Sequence, residues 1–429
     1  MTTTMTAIPM APASTYAETG DPFLFKRART WWLLLALFLM ADGYGIFEEH
    51  KKHFSMKDLT QVLESHSYLP YTIVMLVICA GLMVTQIGPT LRLMLRHKAV
   101  PAFAVLAFLS TLWSQVPLLT FRKAAVLFFI MAFAWFFAMY YSPTDQMRLL
   151  LALGVIMALA SIAWVILLPN YGIQPTGEWK GVFGQKNFLG STMFFLFASL
   201  PFCRISSGRR LLTVALYAIL PLGLILLSQS MTALIMTVVL IAVRVVGPFV
   251  TRTRREAIPF ILYSVGFCIV MIATSVTVIL PLLGRDLTFT GRTRVWAVLF
   301  PFAINHFWLG YGYQGFWNGT SGDSGSVNSI LNAALNTADN GYLQLMLELG
   351  FVSIVLLVVL LIACVRDFQT LLRRSSVPLI AYWYAGLILA IFVGSITEDM
   401  LWMPFRIVPF MLVLACAGLR NLTEQHADL

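Results

Sequence analysis

The segment "GYLQLMLELGFVSIVLLVVLLIAC", residues 341–364, sets the fold class of the chain. Its second half is almost entirely apolar, and its length matches the roughly 20 residues that a helix needs to cross a bilayer. Asn340, Gln344 and Glu348 recur at every fourth position and therefore share one face of that helix. Because polar and charged side chains are costly in hydrocarbon, this stripe must face other helices or a wet cavity.

Composition extends this interpretation to the whole chain of 429 residues. Hydrophobic residues make up 59% and charged residues only 11%, whereas a soluble domain has roughly 25% charged residues. We therefore predict an all-α integral membrane protein with about twelve transmembrane helices. The predicted spans are residues 30–47, 68–88, 99–115, 122–141, 149–168, 188–204, 211–228, 231–247, 259–283, 341–364, 378–396 and 401–418.

The basic residues predict the orientation of these spans. Alternate connections carry most of the 29 lysines and arginines, so we predict that these connections and both termini are cytoplasmic. Topology then accounts for the net charge of +10, and no nucleic-acid partner is expected. The predicted organisation is a disordered tail (1–29), nine spans (30–283), an outer loop with a short amphipathic helix (284–340), three spans (341–418) and a second tail (419–429).

Basic side chains gather on the predicted outer face. They lie in "TFRKAA" with Arg122, in "GVFGQKNFLG" with Lys186 and Asn187, and in "TFTGRTRVW" with Arg292 and Arg294. The last stretch predicts a helix start with Thr290 or Thr293 as N-cap, and Pro301 should kink or end that helix. An arginine at a helix N-terminus favours phosphate oxygens. Each cation could instead be an interfacial anchor at a helix end.

Carboxylates share the same predicted face. Asp339, at the start of the tenth span, suits proton abstraction from a hydroxyl, although it could merely cap the helix. The stripe that follows could likewise serve only interhelical hydrogen bonds. Arg406, predicted inside the last span, is expected to pair with Glu398 or Asp399. Cations, a carboxylate and an aromatic-rich loop together suit an anionic lipid that carries a sugar.

Six stretches carry a resemblance to a known family. They are "LWSQVPLLTFRKA", "GVFGQKNFLGS", "LSQSMTALI", "TFTGRTRVW…FWLGYGYQGFW", "ADNGYLQLMLELG" and "SITEDMLW". Their order resembles that of the O-antigen ligase and polymerase superfamily, and above all its exopolysaccharide-polymerase branch. The resemblance extends over residues 112–403, which is most of the chain.

The resemblance implies a glycosyltransferase of the bacterial cytoplasmic membrane that acts on its periplasmic face. Its donor and acceptor would be polyprenyl-diphosphate-linked oligosaccharides, and no metal or other cofactor is expected. The expected surroundings are the lipid bilayer, a flippase, and the chain-length and export proteins of a polysaccharide machine. Rival functions are a ligase that moves the glycan to a lipid or protein, and a transporter or flippase of lipid-linked sugar.

The resemblance also assigns roles to residues. The family's "HKN"-like motif falls on residues 185–187, its "GR" arginine on Arg292, and its "HNGYLQ" motif on residues 339–344, where Asp339 replaces the histidine. His306 lies outside that motif and is a weak substitute for the histidine. We predict Asp339 as the general base and Arg292 as the second catalytic residue. The predicted substrate-binding residues are Lys186, Asn187, Arg122, Arg294, Asn340, Gln344 and Glu348.

Overall fold

The fold is all-α. The computed structural model describes residues 23–41, 69–96, 98–199, 215–253, 266, 291–318, 322–333, 335–373, 377–404 and 406–425. Within these ranges there is no β-strand, only an isolated bridge between Ile173 and Trp179. Apart from residue 266, the predicted ninth span (259–283) lies outside the described residues.

The helices follow the apolar runs of the sequence. Their bounds are α1 Phe23–Met40, α2 Leu69–Met83, α3 Ile87–Arg96, α4 Ala99–Leu109, α5 Pro117–Tyr140, α6 Pro143–Leu167, α7 Lys186–Ser199, α8 Leu220–Ser228, α9 Met231–Thr253, α10 Arg292–Asn305, α11 Gly322–Leu331, α12 Gly341–Leu372, α13 Leu379–Gly394 and α14 Ile407–Gln425. A single π-helical turn, Ala215–Ile219, leads into α8, and a four-residue helix, Pro169–Gly172, follows α6.

Length and composition support a membrane protein. Five of the described helices (α5, α6, α9, α12 and α14) are long and apolar enough to cross a bilayer. Helices occur at each predicted span that the described residues include. The prediction of an all-α membrane fold is thus confirmed, while the number of twelve spans and their orientation stay predictions.

Several predicted boundaries were wrong, and two of them change the setting of a charged residue. Helix α5 begins at Pro117 rather than at residue 122, so Arg122 lies within it. Proline is well tolerated in a first helical turn because its missing N–H would have no partner there. Helix α14 begins at Ile407 rather than at residue 401, so Arg406 precedes the helix instead of lying inside a span. The same helix continues to Gln425, beyond the predicted limit at residue 418.

Helices α5, α13 and α14 form the centre of the bundle. Helix α14 packs against α5, α12 and α13, and α13 also packs against α9. Close approach depends on small residues, as is usual between membrane helices. A Cβ atom at Gly418 of α14 would lie 2.2 Å from the ring of Tyr384 of α13. This tight centre holds both ends of α13 and α14, and therefore the loop between them, in a fixed position.

Helix α12 is broken at Gly350, which has φ 65° and ψ −167°. A Cβ atom there would lie 2.3 Å from the backbone of Trp308, so only glycine fits. Four hydrogen bonds join the two segments at the break. The N–H groups of Tyr311, Gly312, Phe351 and Val352 donate to the carbonyls of Leu347, Glu348, Phe307 and Trp308 (2.8, 2.9, 2.7 and 3.4 Å). Irregular backbone in a membrane protein is tolerated when protein groups satisfy it in this way. The segment 306–312 is consequently locked onto α12.

Candidate functional site

The loop between α13 and α14, residues 395–406, connects the starts of four helices. At the start of α12, the Gly341 N–H donates to the Ser395 carbonyl (2.7 Å), and Asn340 Nδ2 donates to the Ile396 carbonyl (3.0 Å). At the start of α9, the Thr232 hydroxyl is hydrogen-bonded to that of Thr397 (2.8 Å). Asn187 of α7 and Arg292 of α10 both donate to the Glu398 carboxylate. The first residues of α7, α9, α10 and α12 therefore converge on one loop. A helix N-terminus has unpaired N–H groups and a partial positive charge. Four such ends favour an anionic ligand at this end of the bundle.

Glu398 is the centre of this arrangement. Its Oε1 atom accepts hydrogen bonds from Arg292 Nη2 and from Asn187 Nδ2, although these donors lie on different helices. The carboxylate is almost fully buried. Burial raises its pKa to about 8; Arg292 and Arg406 oppose this shift, and Asp339 and Asp399 add to it. Glu398 thus joins two predicted site residues that are more than 100 positions apart.

Asp399 makes the second ion pair of the loop. Its Oδ1 accepts a hydrogen bond from Arg406 Nη1 at 2.9 Å, which confirms the predicted pairing of Arg406 with one of the two acids. The Arg406 guanidinium also lies 3.9 Å from the centre of the Phe188 ring, a cation–π contact with α7. Among the described residues, Asp399 Oδ2 is buried and has no hydrogen-bond partner. Arg406 therefore satisfies only one of the two carboxylate oxygens of Asp399.

Asp339 lies beside this pair. Its carboxylate and those of Glu398 and Asp399 offer oxygen atoms within 4.8 Å of one another. The residue has a left-handed backbone, with φ 48°, which is uncommon outside glycine and costs free energy. Burial raises the pKa of Asp339 above its ordinary value; Arg292 and Arg406 oppose this rise, and Asp399 adds to it.

The N-cap of α12 is Asn340, not Asp339. The Asn340 Oδ1 accepts hydrogen bonds from the N–H groups of Tyr342 (3.0 Å) and Leu343 (2.9 Å). The alternative that Asp339 merely caps the helix was therefore wrong. Among the described residues no hydrogen bond holds the Asp339 carboxylate, so it is available for chemistry.

Three carboxylates this close could in principle bind a hard cation through oxygen. In this set, however, Glu398 already accepts from Arg292 and Asn187, and Asp399 accepts from Arg406. Two guanidinium groups therefore supply the positive charge that a divalent ion would otherwise supply to these carboxylates. The donor set fits paired arginines better than a metal.

Lys186 stands next to Asn187 at the start of α7 and pairs with a residue that sequence reasoning missed. Its Nζ donates to Glu178 Oε1 at 2.8 Å. Burial disfavours the charge of Glu178, but hydrogen bonds from Lys186 and Thr176 outweigh it and lower the pKa of Glu178 to about 2. Glu178 lies in "GEWKG", a loop between spans with no periodicity, so no sequence pattern indicated this partner.

Helix α10 begins at Arg292, and its N-cap is Gly291 in the left-handed conformation. The predicted cap by Thr293 was wrong, and Thr290 lies outside the described residues. Pro301 does not end the helix, which continues to Asn305. His306 follows that end, where its ring lies 4.1 Å from the ring of Tyr311. Fourteen helical residues separate Arg292 from His306 by about 20 Å, so His306 is a poor candidate for the base.

Gln344 and Glu348 support the loop that precedes α12. Both are buried. Gln344 Oε1 accepts from Trp317 Nε1 (3.1 Å) and from the Ala338 N–H (3.0 Å), and its Nε2 donates to Glu348 Oε1 (2.6 Å). Gln314 donates to the same Glu348 oxygen at 2.7 Å. These bonds position the segment that ends at Asp339, and they leave the substrate-binding role of the stripe a prediction.

The remaining predicted cations differ in their surroundings. Arg122 is exposed on α5, and Arg294 is exposed on α10. Neither has an ion pair with a described residue. The neighbour of Arg122, Lys123, is instead half-buried and interacts electrostatically with Glu348. A helical periodicity centred on the buried face of α5 would have favoured Lys123 over Arg122.

Comparison with known proteins supports the resemblance of the motifs. Residues 216–358 match the model of the O-antigen ligase family. The match includes Arg292, Asp339, Asn340, Gln344 and Glu348, and it supports the O-antigen ligase and polymerase superfamily. No curated protein matches the chain. A family of this kind indicates a membrane enzyme of glycosyl transfer.

Proposed function

We propose that this chain polymerises polyprenyl-diphosphate-linked oligosaccharide repeat units into exopolysaccharide on the outer face of a bacterial cytoplasmic membrane. The observation that carries the proposal is the meeting of Asn187, Arg292, Asp339 and Asn340 at the loop 395–406, although they come from three separate segments. Such a site combines charge for a diphosphate with a carboxylate that can accept a proton. The family match supports glycosyl transfer in general.

The leaving group requires positive charge. When the bond between the anomeric carbon and the diphosphate oxygen breaks, the electron pair stays on the diphosphate. Arg292 carries five N–H donors, so its bond to Glu398 leaves donors for phosphate oxygens. Lys186 and the converging helix starts add to that positive field. Arg122 is too exposed to share this role directly, and Lys123 lies on the more buried face of α5.

The acceptor requires a base. A sugar hydroxyl attacks the anomeric carbon from the side opposite the diphosphate, which inverts that centre and forms the new glycosidic bond. Asp339 takes the hydroxyl proton. Its position beside two other carboxylates and its raised pKa make it a better base than an exposed aspartate. Polyprenyl diphosphate and one proton are the other products.

The polymerase is tested by the products of a purified preparation. Wild-type protein given one lipid-linked repeat unit should produce a ladder of longer chains, and loss of the gene should leave single repeats. Long chains that still form on the polyprenyl carrier in the deletion strain, but are no longer transferred from it, would indicate the ligase. Accumulation of lipid-linked sugar on the inner face would indicate a flippase.

Sidedness is tested separately by chemical labelling. A cysteine at Ser326 of α11 should react with a membrane-impermeant thiol reagent, whereas one at Thr370 of α12 should not. Both side chains are exposed, so access to the reagent decides the result. A background without the five native cysteines removes competing signals. The reverse pattern would put the proposed site on the cytoplasmic side and contradict the proposal.

A further inference from the structure

Helix α10 has one exposed face that changes in character along its length. Its exposed residues include Arg294, Ala297, Phe300 and Ile304, which recur every three or four positions and therefore form one stripe. The first of these is cationic and the last two are large and apolar. Phe300 is 60% exposed and Ile304 is 47% exposed.

The opposite face of α10 holds the helix in place. Leu299 and Ala303 are buried in a cluster with Phe316, Val327 and Leu347. Near the start of the helix, Trp296 Nε1 donates to the Ala338 carbonyl at 3.0 Å, immediately before Asp339. The orientation of the exposed stripe is therefore set by packing, and its cationic end is the end that lies at the site.

The apolar end of the stripe continues onto an exposed apolar surface of α12. The Phe307 ring stacks on Phe351 of α12 at 5.0 Å, and Trp308, 65% exposed, meets the same ring edge-on at 6.0 Å. Beyond Phe351, α12 exposes Val355 and Val358 along its apolar run. An exposed tryptophan at this junction is typical of a membrane interface.

We propose that the exposed stripe of α10 is a docking track for the isoprenoid chain of the lipid-linked donor. This inference rests on the proposed function. The order of side chains along the track follows the order of groups in the donor. Arg294 and the helix N-terminus suit the diphosphate, and Phe300 and Ile304 suit the first part of the isoprenoid chain. Arg294 and Ile304 are separated by about 15 Å along the helix. The rest of the chain passes beside Trp308 into the bilayer.

The track has a consequence that ordinary lipid contact does not have. Substitution of a side chain that touches only bulk lipid should change kcat/KM equally for every donor. A side chain that touches the isoprenoid should matter for a donor with a long chain and not for a donor too short to reach it. Loss of one buried apolar side chain weakens binding by roughly 10- to 100-fold.

The experiment compares two donors in the purified protein. One donor carries a full polyprenyl diphosphate, and the other carries the same sugar on a diphosphate with a single isoprene unit. For Ile304→Thr and Phe300→Ser we expect a roughly 10- to 100-fold lower kcat/KM with the long donor and a change within about twofold with the short one. Arg294→Gln should weaken the use of both donors alike.

The matched control is Val77→Thr on α2, which is 64% exposed and lies on a helix that forms no part of the track. It should change neither donor's kcat/KM by more than about twofold. Equal effects of Ile304→Thr and Val77→Thr would overturn the track and leave the stripe as a surface for bulk lipid. Turnover of neither donor by the wild-type protein would overturn the proposed function as well. If the wild-type protein turns over both donors and the Ile304→Thr and Phe300→Ser variants turn them over equally well, the track alone is overturned.

Discussion

Two ends of the bundle each join arginine to carboxylate, but they do so in different ways. At the end opposite the loop 395–406, Arg420 of α14 donates to Asp367 of α12 and to Glu424 one turn further along α14, both at 2.9 Å. Both partners lie on regular helices; the side chains of Arg420 and Glu424 are 39% and 34% exposed, while that of Asp367 is 10% exposed. At the loop end, Glu398 and Asp399 are almost fully buried, and their partners come from three separate segments.

The difference indicates which charges serve the structure and which serve chemistry. Exposed pairs on helices contribute at most about 1 kcal/mol, and they form wherever suitable residues face each other. Buried charges lose their hydration, and replacing them by apolar residues often leaves a protein equally stable or more so. At the loop end, two buried carboxylates and one half-buried carboxylate meet two half-buried arginines, and one carboxylate oxygen has no partner among the described residues. Such a group is therefore better explained by function than by stability.

The largest expected effect is that of Arg292→Ala. Removal of the arginine that neutralises the leaving diphosphate should lower kcat by about 10³–10⁵-fold, the range seen when an arginine stabilises a transferring phosphoryl group. Arg292→Lys should also be poor, because lysine cannot bond two phosphate oxygens in a planar fork. The measurement is polymer formation by purified protein, with membrane content as control. Full activity of the lysine variant would mean that only diffuse charge is needed.

Next in size is Asp339→Asn, for which we expect a loss of about 10²–10⁴-fold in rate with donor binding retained. Asparagine has nearly the same shape but cannot accept the proton. Because Asn340 and not Asp339 caps α12, the substitution should leave the helix intact.

Asp339→His, which restores the family residue, is the control for the base role. It should recover part of the activity. Burial raises the pKa of Asp339. As the pH is lowered, the wild-type rate should therefore fall with a midpoint above the ordinary aspartate pKa of about 3.9. In the histidine variant this fall should lie closer to 6.5. Near wild-type rates in Asp339→Asn would exclude Asp339 as the base.

A smaller effect is expected for Glu398→Gln, and it depends on pH. The pKa of Glu398 is raised to about 8, so the side chain becomes ionised as the pH rises through that value. The ionised form should hold Arg292 more tightly and compete with the diphosphate, which lowers the rate several-fold on the alkaline side. Glutamine can still accept from Arg292 and Asn187 but does not titrate. The alkaline fall should therefore vanish in Glu398→Gln, and its persistence would assign the fall to another group.

The smallest effect is expected at the opposite end of the bundle. Arg420→Ala should leave kcat and KM unchanged within about twofold. It should lower stability by less than about 1 kcal/mol through the exposed pair with Glu424, and by more through Asp367, whose buried carboxylate loses its partner. Thermal unfolding in detergent and polymer formation measure the two quantities. A large loss of activity in Arg420→Ala would remove the distinction between the two ends.

The sequence predicted the helices well because each apolar run is a local signal of the required length. It also predicted Asn187, Arg292 and Asp339 as site residues, and the structure brings these three together around Glu398. It did not distinguish Arg122 from Lys123, because both precede the same apolar run and only the packing of α5 decides which is buried. Arg406 was assigned to a span because an apolar window does not reveal where a helix begins.

The sequence alone predicted a helical membrane protein that resembles the O-antigen ligase and polymerase superfamily, since hydropathy and short motifs depend on consecutive residues. Only the tertiary structure decided that Glu398 accepts hydrogen bonds from both Arg292 and Asn187, that one oxygen of Asp399 has no partner among the described residues, and that Asn340 rather than Asp339 caps α12. These are contacts between segments that are far apart in the chain, and their distances depend on how the helices pack. A linear pattern carries no information about the break at Gly350 either, because the break is stabilised by backbone groups of a distant loop.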